Sequence, residues 1–397
     1  MIRRTFLASL LACVFASGLI LEIGAQGTPP GHVRKIVVFR PAFTQAPAQE
    51  AVVKAAGATV IKPLRLINAM AVSLPAPAVE ALARRAEVVR VDEDLEIRAT
   101  DAATAAAPPV ALAKGKPAPP PPAQTTPWGV ARVGAPDAWA YSTGTWVKVA
   151  IVDTGIQLDH GDLAANIAGG TNLVNPRKSA NDDNGHGTHV AGIAAAVDNN
   201  IGVVGVAPAV RLYAVKVLGA GGSGTLADLI DGLTWCIDNQ MQVLNMSLGS
   251  PTDNQSFHDA ITKVYQAGIV QVAAAGNNSG GPVDYPGRYP EVIAVSASDS
   301  GDRFASFSSA GPEVALIAPG ASIYSTYKGS KYRTLSGTSM ASPHVAGIAA
   351  LRLQLHSTET PDTVKSVLQS NTMLLPGLTA NQQGAGLPLA FLVVTAP

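Results

Sequence analysis

VKVAIVDTGI, Val147–Ile156, decides the fold. It is a nearly continuous apolar run, as a strand buried on both faces of a parallel sheet must be. VRLYAVKVL (210–218), QVLNMSL (242–248) and IVQVAAAG (269–276) repeat the pattern, with helical patterns between them. Apolar strands alternating with helices predict an α/β fold, a mostly parallel sheet sandwiched by helices. In an open sheet of that kind, functional residues gather at the carboxyl ends of the strands. Asp153 ends the first run, just before Thr154-Gly155. A carboxylate there is costly unless it meets a donor; an ordinary turn-former is the plainer reading.

Working outward, the chain has 397 residues, 47% of them hydrophobic, with 38 Gly and 29 Pro. That is more than one ordinary domain needs, and it fits a large core with many turns. Lys plus Arg equals Asp plus Glu, 28 each, so no basic excess points to nucleic acid. The amino terminus, MIRRTFLASLLACVFASGLILEIGAQG, reads as a secretory signal over residues 1–25, cut after Ala25. A membrane anchor is the alternative, because the run is close to spanning length. A lipoprotein signal at Leu10–Cys13 would leave the apolar VFASGLIL outside the removed peptide. The expected product is secreted, in the medium or the periplasm, with no membrane contact once the signal is gone. Of the two cysteines, Cys13 lies in the signal, so Cys236 cannot form an internal disulfide. It sits beside Trp235 in a helical pattern and reads as a small buried residue.

Residues 32–100 form a block of their own. GHVRKIVVF, ATVIKPLRLI, NAMAVSLP and EVVRVDEDLEI read as strands, and PAQEAVVKAAG and PAVEALARRA as helices. The order βαββαβ is a small ferredoxin-like α+β unit. Residues 101–123, DAATAAAPPVALAKGKPAPPPPA, cannot bury a core and read as an extended linker open to proteases. The parallel-sheet domain occupies 124–397.

Three further segments carry chemistry. NGHGTHVAGIAAAV places His186 and His189 at the start of a helix, flanked by Gly185 and Gly187. Such a pair can share a helical face, but zinc needs a third ligand, and no HExxH or cysteine pair accompanies it. VAAAGNN puts Asn277 at a strand end, where an amide can donate to a developing negative oxygen. GTSMASPHVAG, 337–347, puts Ser339 at the start of an apolar helix; alone it reads equally as a helix cap. Together Asp153, His186 and Ser339 supply an orienting carboxylate, a general base and a nucleophile. The chain order Asp, His, Ser, with GTSMA in place of a GxSxG elbow, disfavours an α/β-hydrolase.

AIVDTGI, NGHGTHVAG, NMSLG, VAAAGN and GTSMASPHVAG closely resemble the motifs of the subtilisin-like serine proteases, the subtilase family. IGVVGVAP, LYAVKVLG, YPGRYPEVIAV and FASFSSAGPE extend the resemblance from Ala123 to the GAGLPLAFLV tail. It implies a secreted serine endopeptidase, made as a self-processing precursor and acting as a monomer on protein or peptide substrates. Asp153, His186 and Ser339 would be the triad. The Asn277 amide and the Ser339 N–H would hold the oxyanion, and His189 and His344 would be structural. Substrate would add as a strand between Ser247-Leu248-Gly249 and the Gly221–Gly224 run, with Gly222, Ser223 and Gly224 in contact. Ala274 and Gly276 would wall the primary pocket.

Asp284 stands where the family carries a small residue, and could pair there with a Lys or Arg of the substrate; a solvent-facing loop position is the alternative. Structural calcium is implied at Gln124, Asp162 and Asn199, with the carbonyls of Val197, Ile201 and Val203, an oxygen-only set. The matched Gln124 suggests a mature start near Ala123. The 32–100 block resembles the family's pro-domain, expected to assist folding and to inhibit its own peptidase until cleaved. The competing class is a catalytically silent subtilisin-like binding protein.

Overall fold

The computed structural model describes residues 29–100 and 121–397; the predicted signal and nearly all of the linker lie outside them. The amino-terminal unit runs β1 His32–Phe39, α1 Ala46–Ala55, β2 Thr59–Leu64, β3 Ala69–Pro75, α2 Ala78–Ala83 and β4 Val88–Glu93. Its four strands pair antiparallel in the order β2-β3-β1-β4. Val37, Phe39, Val53, Met70, Val72, Leu74 and Leu82 close a core of its own.

One expected strand divides in two. EVVRVDEDLEI keeps only β4 in this sheet; β5, Glu96–Ala99, leaves it and pairs with the peptidase domain. Asp94, between them, is the hinge point. Its carboxylate takes the Ala227 N–H at 2.8 Å and the Arg34 guanidinium at 2.7 Å. β5 has weaker strand propensity than β4, so its pairing partners decide where it goes.

In the larger domain, two short helical turns, α3 Trp128–Arg132 and α4 Ala135–Ala138, precede β6 Lys148–Asp153. There follow β7 Ile167–Asn172, α5 His186–Ala195, β8 Arg211–Lys216, β9 Ser223–Thr225, α6 Leu226–Asp238, β10 Val243–Met246 and β11 Leu248–Gly249. Then come α7 Gln255–Gln266, β12 Val270–Ala274, β13 Ile293–Ser298, β14 Val314–Pro319, the hairpin β15 Ile323–Tyr327 with β16 Lys331–Leu335, and α8 Thr338–Leu355. Seven strands form one parallel sheet, β14-β13-β12-β10-β6-β8-β7. Strands β10, β12, β13 and β14 are buried along their whole length, as mostly apolar runs require, with Asn245, Gln271, Ser296 and Ser298 as the buried polar exceptions.

Helices α5 and α8 are built largely from small and apolar residues, and both are buried almost throughout. They pack against each other on one face of the sheet; α6 and α7 lie with the core of the other face. Both buried helices begin at the sheet's carboxyl edge, and the site is assembled there. Among the described residues no helix is long and apolar enough to cross a membrane.

Candidate active site

β6 delivers Asp153 fully buried, and the first turn of α5 delivers His186 against it. His186 Nδ1 lies 2.8 and 2.9 Å from the two Asp153 oxygens. That contact fixes the proton on Nδ1 and turns Nε2 to the opposite side of the ring. A second carboxylate, which the sequence reading missed, sets the helix start. Asp182 is buried and accepts the N–H groups of Asn184, Gly185 and Thr188 and the hydroxyls of Thr154 and Thr188. Thr154 Oγ1 in turn accepts the Gly187 N–H at 2.9 Å. The signal was present in NDDNGHG: Asp and Asn just before a helix bind backbone N–H groups. Gly187 is required because a Cβ there would meet the Gly155 carbonyl oxygen and the Asp153 side chain.

Ser339 sits in the first turn of α8, completely buried. Pro343 follows inside the same helix and has no N–H, so it cannot bond the carbonyl four residues back, which is Ser339's. Ser247 Oγ donates to that carbonyl instead, at 2.9 Å. The predicted substrate segment SLG is thereby locked to the turn that carries the serine.

Asn277 is oriented by Thr338. Its Oδ1 accepts both the Thr338 N–H and the Thr338 hydroxyl, each at 3.0 Å. The amide can only then present Nδ2 to the cleft, where it donates to the Thr100 carbonyl oxygen at 2.7 Å. Thr338 Oγ1 also accepts the Gly276 N–H at 3.1 Å. Sequence reasoning singled out Ser339 and passed over its neighbour, because the hydroxyl's partners lie far away in the chain.

The predicted histidine pair does not converge on a metal. His189 Nε2 donates to the carbonyls of Ile323 and Arg333, at 3.1 and 3.0 Å, while His186 faces Asp153. Burial pushes the His189 pKa down to about 3 and that of His344 to about 4. His344 donates from Nδ1 to the Met340 carbonyl. Both rings are neutral and structural near neutral pH. Cys236 is buried, and burial pushes its thiol pKa up.

The cleft is occupied by this chain's own residues. β5 lies between β9 and β11 as an added antiparallel strand: Ile97 faces Gly224, Arg98 faces Ser223 and Gly249, and Ala99 faces Leu248. The Ala99 N–H donates to the Gly222 carbonyl at 2.9 Å and the Thr100 N–H to the Ser247 carbonyl at 3.2 Å. Ile97 is fully buried in the cluster that holds Leu218, Leu226 and Leu248. Ser339 Oγ donates to the Thr100 carbonyl oxygen at 2.6 Å and lies 2.6 Å from the Thr100 hydroxyl.

Thr100 therefore spans the gap between Ser247–Gly249 and Ala274–Asn277. Asp284 lies against both walls. A Cβ on Gly249 would be 3.3 Å from the Asp284 Cβ, and one on Gly276 would be 2.5 Å from its Oδ2. Its carboxylate accepts the Asn278 amide at 3.0 Å, and burial lifts its pKa despite that bond and the nearby Arg288.

Gln124, Asp162 and the 197–203 loop also come together. Residues 123 and 125 bridge to 201 and 203, and Gln124 Oε1 accepts the Asn199 and Asn200 N–H groups. Asp162 Oδ2 accepts the Val203 N–H at 2.8 Å, whereas Oδ1 is buried without a partner. An orphaned buried carboxylate oxygen is the kind of hard donor that a hard cation takes. Among the described residues no group of three or more His, Cys, Asp or Glu could hold a metal ion; the expected set has a single carboxylate.

A buried carboxylate, an imidazole, a serine near a helix N-terminus and an oriented amide are the groups a serine peptidase requires, here on a parallel α/β sheet. Residues 144–386 match the subtilase family, and the chain belongs to it. It is 48% identical to subtilisin Savinase of Lederbergia lenta over 266 residues, 67% of this chain and 97% of that protein. The M-protease of Shouchella clausii (strain KSM-K16) gives the same identity over 67% of this chain and 69% of its own. Subtilisin E of Bacillus subtilis is 40% identical over 362 residues, 88% of each chain. The protein is a serine endopeptidase.

The Thr338–Asn277 contact makes Thr338 a positioning residue. Thr338→Val removes one donor from Oδ1 and strands the Gly276 N–H, a loss worth about tenfold in kcat with KM little changed. Thr338→Ser restores kcat. An unchanged kcat in the valine variant would show the amide is held without it.

Proposed function

We propose that this chain is a secreted, self-processing precursor. On this reading Ser339 Oγ attacks the scissile carbonyl, His186 takes its proton and returns it to the leaving amine, and Asp153 stabilises the imidazolium. Asn277 Nδ2 and the Ser339 N–H hold the oxyanion. The single observation that supports the reading best is the carbonyl of Thr100, which meets Asn277 Nδ2 and Ser339 Oγ together. Residues 32–100 act as the pro-domain and occupy the cleft until cleaved. A silent binding protein gains nothing from a site that carries all four groups.

Comparing wild type with Ser339→Ala tests this, with casein cleavage and chain length followed together. Wild type cuts casein and shortens; the variant does neither. Casein cleavage by the alanine variant would remove Ser339 from the nucleophile's role. Asn277→Ala lowers kcat by about a hundred- to a thousandfold, a magnitude measured on a subtilisin, a relative of this chain.

Calcium is assigned to Gln124, Asp162 and Asn199 with the carbonyls of Val197, Ile201 and Val203. Bound there, it neutralises the orphaned Asp162 oxygen and ties the 123–125 segment to the loop. A ligand present at a hundred times its Kd stabilises by about 2.7 kcal/mol. Chelation should lower the melting temperature of the Ser339→Ala protein by several degrees, and Asp162→Asn should abolish that calcium dependence. A melting temperature indifferent to calcium would reject the site.

Asp284 is assigned to the floor of the primary pocket, where it selects Lys or Arg before the cut bond. A charge-assisted bond contributes about 1.5–3 kcal/mol, so kcat/KM for Arg over Leu should exceed about tenfold. Asp284→Asn should erase that ratio. The preference should also fade on acidification, at a higher pH than an ordinary carboxylate gives, because burial lifts this group. Equal turnover of Arg and Leu peptides by wild type would sink the assignment.

A further inference from the structure

The expected mature start near Ala123 and the observed occupant of the cleft do not coincide. The segment around Ala123 is docked elsewhere. The Pro122 carbonyl accepts the Gly202 N–H at 2.7 Å, Gln124 N–H donates to the Asn200 carbonyl at 3.0 Å, and Thr125 N–H to the Gly202 carbonyl at 2.9 Å. The backbone on both sides of the Pro122–Ala123 bond is thus engaged by the 200–202 loop, not by β9 and β11. The residue whose carbonyl meets the nucleophile is Thr100, held by its own N–H on Ser247 and by β5 in register on both sides.

The residues that hold it there come from several directions. Asp94 meets the first turn of α6 through Ala227, and Asp92 accepts the Ser256 hydroxyl at 2.6 Å in the first turn of α7. Asn254, the residue that caps α7, donates to the Glu93 carbonyl at 3.0 Å. Lys62 bridges Asp228 and Asp231, Arg90 reaches Asp259 and Arg65 reaches Asp238. Carboxylates at helix N-termini and cations over helical acids fix the pro-domain, and β5 follows from its last strand. The register that delivers Thr100 to Ser339 is therefore set by the fold of both domains.

We infer that the first self-cleavage breaks the bond after Thr100, between Thr100 and Asp101. The peptidase then starts at Asp101 and carries residues 101–122 as an amino-terminal extension, and trimming to Ala123 is a separate, later, intermolecular event. This rests on the serine-endopeptidase reading. Ser339 Oγ bonds the Thr100 carbonyl carbon, the C–N bond to Asp101 breaks, and the serine proton passes through His186 to the Asp101 nitrogen. Water then hydrolyses the ester, leaving Thr100 as a carboxylate and Ser339 restored. Because nucleophile and carbonyl belong to one chain, the first cut is unimolecular.

The test uses the full chain, wild type and Ser339→Ala, over a dilution series, with intact mass and amino-terminal sequencing at successive times. Casein cleavage is read on the same samples. The expected result is a first new amino terminus at Asp101 and a fragment ending at Thr100, formed at a rate independent of protein concentration. A species starting near Ala123 comes later, if at all, and faster at higher concentration. A first terminus anywhere else in casein-active protein overturns the inference and leaves the protease reading standing. So does an Asp101 terminus whose rate rises with concentration, or the same fragment in the alanine variant. Wild type that neither shortens nor cuts casein overturns both.

Discussion

The hydrogen bonds around the first turn of α8 are the constraint on which the site depends. Ser339 must be near a helix N-terminus, where free N–H groups favour negative charge. Pro343 sits four residues on and removes the bond that would normally close that turn. The freed carbonyl is satisfied by Ser247, and the adjacent Thr338 grips Asn277. One helical turn thus fixes Ser339, Ser247 and Asn277 relative to each other, as the proposed mechanism requires. A donor aimed before the reaction needs no reorganisation when charge develops, which is where such sites gain most of their rate.

The same edge holds β5, the tail of the amino-terminal unit, between β9 and β11. The ion pairs between the two domains are partly exposed, and pairs of that kind contribute about 0–1 kcal/mol each. Fully burying one isoleucine contributes about 1.5–3 kcal/mol. Ile97 is buried completely, and main-chain bonds run on both sides of β5. Burial and strand addition therefore hold the tail, while the charges set the orientation in which it arrives.

The parallel sheet was legible because its strands are buried on both faces, so nearly every position had to be apolar. The candidates for the proposed triad stood out because Asp153 closes β6, His186 opens α5 and Ser339 lies in the first turn of α8, each within two residues of a glycine. The four-stranded amino-terminal sheet was legible in its order. What stayed hidden depends on distant partners. The break in EVVRVDEDLEI is decided by Ala227 and by the cleft, and nothing in the local alternation marks it. Asp182, Thr338 and Ser247 act through bonds to backbone groups on other elements. The composition of residues 101–123 shows where a core cannot be, but it does not show which peptide bond faces the serine.

Thr100 and the proposed role of Asp284 make different demands on one pocket. A threonine carries no charge for Asp284 to meet, so on the proposed reading the precursor's own cut gains nothing from the contact that would choose Lys or Arg in a free substrate. It does not need to. Holding a carbonyl beside a nucleophile within one chain is worth effective concentrations of about 10⁵–10⁸ M. A charge-assisted bond worth about 1.5–3 kcal/mol is small against that. Self-cleavage can therefore proceed on position alone, with the pocket's charge left to discriminate among substrates that arrive from solution. On the proposed reading, a cut tail without a cation in that pocket would bind by its backbone and Ile97, and a substrate that supplies the missing charge would compete with it more strongly.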